Sequence, residues 1–154
     1  MLTDIDLDDF LKSRGVKYAI LKHGQSYRAY EASKELGIDV HDVVKSVLFV
    51  TSEGDAVLVI VRGDRRVDQG KLARELGTRK LRLASKEEVA RITGYKVGAL
   101  PPVGHKNMIK TMIDYAISLE KIVYAGGGAI DSSLKIRVKD IISLQNASFT
   151  KCTY

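Results

Sequence analysis

Apolar residues change their spacing several times along the chain, and each change marks an element. Ile5, Leu7, Phe10 and Leu11 recur at helical spacing over residues 4–14, with Gly15 as the C-terminal stop. Residues 16–21 read as a strand. After a polar loop holding His23 and Tyr27, residues 30–36 closed by Gly37 read as a second helix. Residues 43–50 and 56–61 then form nearly continuous apolar, β-branched runs joined by a polar turn at 51–55. Such runs predict a hairpin buried on both faces, the centre of the core.

Downstream, residues 69–76 before Gly77 predict a short helix and 80–83 a strand. Ser85 and Glu88 are placed as a capping box for a helix ending near Ile92. Residues 110–113, 121–124 and 134–138 predict three further strands, with Gly126, Gly127 and Gly128 between the last two, and 139–145 a final helix. No repeat, linker or low-complexity segment interrupts the pattern. Residues 1–154 are therefore expected to form one α+β domain, a mixed, strongly curved and barrel-like sheet flanked by short helices.

Composition narrows the class. A chain of 154 residues and 17.0 kDa buries roughly 70% of its unfolded surface. That is enough for a core and a recessed site. With 45% hydrophobic and 29% charged residues and no long apolar run, it reads as soluble and globular, with no membrane partner and no targeting segment. The single cysteine, Cys152, lies among polar terminal residues, where it reads as an incidental thiol, and a chain without internal disulfides suits the cytoplasm. The net charge of +6 and pI near 9.4 favour an anionic partner such as nucleic acid. The cations are scattered without interleaved aromatics, which predicts transient contact with a phosphate backbone.

Residues 94–105 concentrate three of the 13 glycines and both prolines, Pro101 and Pro102, without a run of charge. Prolines fix some torsions and glycines open others, so a ligand can approach the main chain closely. Lys45 stands within the apolar run, where alternation sets it on the side of Val43, Val47 and Phe49. A lysine there either meets an anionic group or snorkels into water and guards a strand edge. His23, His41 and His105 have no second His or Cys at ligand spacing, so no metal site is expected. Asp114 and Asp131 are isolated acids with a solvated surface as the default, and neither glycine cluster fits a phosphate-loop pattern.

Taken in order, these features resemble the YbaK/prolyl-tRNA synthetase editing-domain family, over roughly residues 18–144. The anchors are Glu31-Ala32-Ser33 with Leu36-Gly37, Val44-Lys45-Ser46, Thr93-Gly94-Tyr95 leading into Gly98-x-x-x-Pro102-x-Gly104, and Val123-Tyr124 followed by glycines. The resemblance implies a cofactor-free aminoacyl-tRNA deacylase in which the lysine matching Lys45 is the key functional residue and the loop from Gly98 to Pro102 shapes the pocket. It further implies substrate-binding positions at Ser46, Gly98, Pro102, Gly104, Gly127 and Gly128, with Tyr27 and Asp131 as additional candidates. Two departures bear on specificity: Ala99 and Pro101 replace the Gly and Ser of a common Gly-Gly-x-Ser-Pro loop, and Gly128-Ala129-Ile130-Asp131 stands where many relatives have Gly-x-Arg-Gly.

The implied reaction is metal-free hydrolysis of the ester joining alanine, cysteine or serine to the 3′ end of a transfer RNA, most naturally tRNA(Pro). An already activated ester needs orientation, oxyanion stabilisation and a water. An aminoacyl-tRNA synthetase is a further expected partner. The alternative is a non-catalytic module that binds an amino acid or aminoacyl-tRNA beside a synthetase.

Overall fold

The computed structural model describes residues 6–24 and 29–154. In chain order these form α1 (Leu7–Arg14), β1 (Tyr18–Lys22), α2 (Ala29–Leu36), a short 3-10 turn (Val40–Asp42), β2 (Val44–Thr51), β3 (Ala56–Arg62), α3 (Gln69–Leu76), β4 (Leu81–Leu83), α4 (Lys86–Thr93), β5 (Lys110–Asp114), β6 (Ile122–Gly126), β7 (Ser132–Arg137), α5 (Val138–Gln145) and β8 (Ser148–Thr150). Local chemistry sets the helix starts. The Asp6 carboxylate accepts from the Asp8 and Asp9 amides ahead of α1, Asp68 accepts from Lys71 N ahead of α3, and Ser85 and Glu88 form the reciprocal capping box of α4. Among the described residues no helix is long and apolar enough to cross a membrane.

The strands form two sheets, one three-stranded in the order β1-β7-β6 and one five-stranded in the order β4-β2-β3-β5-β8. The first is antiparallel throughout. In the second, β2 pairs antiparallel with β3 and β4, whereas β3–β5 and β5–β8 are parallel. This corrects the expectation of one barrel-like sheet. The sheets touch at an isolated bridge between Val43 and Tyr124, and β1 and β8 end their sheets without joining.

The β2–β3 hairpin is buried on both faces, as its unbroken apolar pattern predicts. One face, with Phe49, Val57, Val59 and Val61, packs on Leu72 and Ala73 of α3, Leu81, Met112 and Cys152. The other divides. Val44 and Ile60 meet α1, α5 and the inner side of the three-stranded sheet, whereas Leu48, Val50 and Leu58 meet Val89 of α4 and Tyr95, Leu100 and Ile109. Fully burying each such side chain contributes roughly 1.5–3 kcal/mol, so helices and loops on both sides are held firmly to this hairpin.

Two residues depart from their expected settings. Cys152 is completely buried rather than an incidental tail thiol, and Asp114 is buried rather than solvated. One arrangement explains both: the Asp114 carboxylate accepts from Cys152 N (3.1 Å), Cys152 Sγ (3.4 Å), Thr153 Oγ1 (3.1 Å) and Ala116 N (3.1 Å). A carboxylate with four donors tolerates burial. Burial and the Asp114 charge push the Cys152 thiol up to about 12.

Candidate functional site

The glycine- and proline-rich segment is anchored at its base and open at its tip. Helix α4 stops at Gly94, where Thr93 Oγ1 donates to Val89 O (2.6 Å) and accepts from Tyr95 N (3.1 Å). The Tyr95 side chain is fully buried, its hydroxyl donates to Gly104 O at 3.3 Å, and burial pushes its pKa up to about 12. Lys106 N closes the base by donating to Thr93 O at 2.9 Å. Only Lys96, Val97 and Gly98 are exposed, while Ala99 to Gly104 are buried. Gly98 adopts a φ of 91°, a conformation that a side chain resists, and its exposure opens its backbone to a ligand.

His105 is the principal brace. Its Nε2 lies 2.7 Å from Pro101 O, and a carbonyl only accepts, so Nε2 carries the proton. Nδ1 is then the acceptor facing Gln145 Nε2 at 3.5 Å, and that amide also donates to Thr111 Oγ1 at 3.0 Å. Burial lowers the His105 pKa, which keeps this neutral tautomer. The ring also meets Tyr95 edge-on. In the sequence His105 stands as an isolated histidine. Its partner Gln145 lies 40 residues away, and the position of Tyr95 and His105 at either end of the loop was the available signal.

The two glycine segments meet backbone to backbone. Gly128 N donates to Ala99 O at 2.9 Å, and a Cβ on Gly126 would stand 2.1 Å from Leu100 O. Only glycine permits that approach. Gly127 backs onto Ser132, where a Cβ would come within 2.7 Å of the main chain, and Gly104 is turned toward Leu7 and Phe10 of α1. Pro102 is buried with the inner limb of the loop.

Strand alternation places Lys45 on the Val43, Val47 and Phe49 side of β2. Residues paired across a bridge project to the same side, so the Val43–Tyr124 bridge aligns that side of β2 with the outer side of β6. Lys45 and Gly126 each lie two residues beyond this isolated bridge, with no further pairing between β2 and β6. Lys45 is half-buried and forms no ion pair among the described residues.

The remaining predicted positions are set differently. Ser46 points to the opposite face of β2, between Val44 and Leu48, and its buried Oγ has no hydrogen-bond partner among the described residues. Asp131 lies at the later turn, but its carboxylate pairs with Lys22 at 3.7 Å and accepts from Ser132 Oγ at 3.3 Å. Tyr27 lies outside the described residues. Among the described residues no three His, Cys, Asp or Glu side chains are grouped to hold a metal ion.

The braced loop of close-set backbone and the half-buried lysine on β2 are the features that relatives place in context. The family model for the aminoacyl-tRNA editing domain matches residues 23–144. The chain belongs to that family. Within it, the chain is 40% identical over 105 residues to the proline–tRNA ligase of Geobacter metallireducens, covering 68% of this chain and 18% of the ligase. It is 38% identical over 87 residues to that of Aquifex aeolicus, covering 56% and 15%. The editing-domain chain thus spans less than a fifth of these ligases. A crystal structure of a candidate trans-editing enzyme for prolyl-tRNA synthetase superposes with a TM-score of 0.85 at 33% identity, covering 96% of this chain and 94% of the other. A hypothetical protein of known structure superposes at 0.88 with 26% identity, covering 96% and 99%.

Proposed function

We propose that this chain is a trans-editing hydrolase that removes alanine, cysteine or serine from mischarged tRNA(Pro). The observation that carries the reading is the likeness, over nearly the full length of both chains, to a candidate trans-editing enzyme for prolyl-tRNA synthetase. The synthetase relatives match this chain over only a small part of their own length.

In this reading the ammonium of Lys45 anchors the ester carbonyl or terminal phosphate and stabilises negative charge as it develops on the carbonyl oxygen. The backbone at Gly98 and at Gly127 and Gly128 lines the aminoacyl group and terminal adenosine. Pro102 and the His105 brace keep the loop from relaxing. A water oxygen attacks the ester carbon, the bond to the ribose oxygen breaks, and a proton passes to that oxygen directly or through the neighbouring ribose hydroxyl. The products are the free amino acid and intact tRNA. The ester is activated enough that the scheme requires no metal. The setting is cytoplasmic translation, and a synthetase partner supplies tRNA selection.

A pocket bounded by close-set backbone selects by size. One methylene gives about 10- to 200-fold discrimination, so a small pocket removes residues that a synthetase fails to exclude. Ala99 and Pro101 stand where this selection is set. The test is release of amino acid from tRNA(Pro) charged with alanine, cysteine, serine and proline, with and without exhaustive chelation. Release of a small residue, sparing of proline and indifference to chelation are expected. Binding of charged tRNA without any release would instead make the chain a non-catalytic module.

A further inference from the structure

We propose that the outer face of the β1-β7-β6 sheet is the docking surface for the RNA phosphate backbone of the substrate; this rests on the editing reading above. Register divides the sheet cleanly. Tyr18, Ile20, Leu134, Ile136, Val123 and Ala125 face the core. The outer face is built from rows. Lys17 precedes β1 and extends the row of Arg137 and Ile122, the next row is Ala19, Lys135 and Tyr124, and the last is Leu21, Ser133 and Gly126. No acidic residue stands in these rows.

The face is open and shaped. A groove of about 350 Å³ is lined by Lys17, Ala19, Ile122, Lys135 and Arg137 and by the β1 and β7 backbone. Ile122 is 47% exposed. Arg137 spends part of its charge on Asp140 (2.9 Å), but neither Lys17 nor Lys135 forms an ion pair among the described residues. Lys135 Nζ lies 5.9 Å from the Tyr124 ring centroid, so a cation and an aromatic surface are presented side by side. Lys135 and Arg137 are two residues apart on one strand, about 6.6 Å, close to the separation of successive phosphates along a nucleic acid strand.

Position decides the occupant. The rows run from Lys17 toward Gly126, and the Val43–Tyr124 bridge carries the same side on to Lys45. A substrate whose 3′ end reaches Lys45 and whose body is far larger than the pocket must cross a flanking surface, and this one is cationic and free of acids. An RNA strand, with phosphates for the lysines and ribose or base for Tyr124 and Ile122, meets each feature of the groove.

The experiment replaces Lys17 and Lys135 together by Glu in the full chain and measures binding of an uncharged acceptor-stem RNA hairpin across a salt series. At least tenfold weaker binding is expected, with the slope of log affinity against log salt reduced by about two. Hydrolysis of a short aminoacyl-adenosine ester should be unchanged, and circular dichroism should match wild type. A control double variant at exposed Lys80 and Lys86 should change RNA affinity less than twofold. Unchanged RNA affinity in the Lys17/Lys135 variant, or equal weakening in the control, overturns the proposal. Weakened RNA binding by a chain that releases no amino acid from any charged tRNA supports the docking face and refutes the hydrolytic reading instead.

Discussion

Lys45 and Ser46 are neighbours in sequence and face opposite sides of β2: Ser46 lies on the side whose Leu48 packs with Tyr95 and Leu100, Lys45 on the side of Val47 and Phe49. The alternation was legible in the sequence; which side packs against the loop was not, because that depends on tertiary contacts of Tyr95 and Leu100. Among the described residues the buried Ser46 hydroxyl has no partner. An unsatisfied hydroxyl costs about 1–3 kcal/mol, so Ser46→Ala should leave stability unchanged or raise it and retain deacylation. Urea unfolding and turnover check both, and a large loss of turnover would return Ser46 to the substrate site. Gly126 makes the reverse prediction. A methyl group there would meet Leu100 O, and overpacking of this kind costs about 1–3 kcal/mol. Gly126→Ala should therefore lower the melting temperature and impair deacylation by displacing the loop.

At the scale of elements, caps and periodicity made every helix visible, and the unbroken β2–β3 pattern gave the central hairpin. The parallel pairings of β5 and β8 were hidden, since they depend on long connections and β8 is only three residues of mixed polarity. The loop's brace was hidden for a similar reason: His105, Gln145 and Thr111 meet only in the fold. This brace makes pH dependence a property of the loop. The folded pKa of His105 is below its ordinary 6.5, so on acidification the unfolded chain takes up the proton first. Its contribution to stability is complete above pH 6.5 and declines as pH falls below that value. Protonated Nδ1 would also oppose the Gln145 amide. Melting temperatures on either side of pH 6.5 should show the loss, and His105→Gln, which keeps a donor for Pro101 and cannot titrate, should show less of it. An equal slope in the variant would remove His105 from this role.

For the whole molecule, the chain end is tied to the five-stranded sheet through Asp114, and composition alone concealed this by presenting a polar tail and a lone acid. Replacing Asp114 by Ala strands the donors on Cys152 and Thr153 and should cost on the order of 3 kcal/mol. Thermal unfolding measures it. With its thiol pushed up to about 12 and no accessible surface, Cys152 should resist thiol reagents until the chain unfolds. The family was legible because its anchors lie in order along the chain, whereas the meeting of the Gly98 loop with the Gly126 turn needed the fold in place. The most direct test is single-turnover deacylation of Ala-tRNA(Pro), Cys-tRNA(Pro) and Ser-tRNA(Pro) by wild type and Lys45→Ala, with matched circular dichroism. The account predicts release by wild type and a loss of about 10²–10³-fold in the variant. No release by wild type, or equal rates in both, would contradict it.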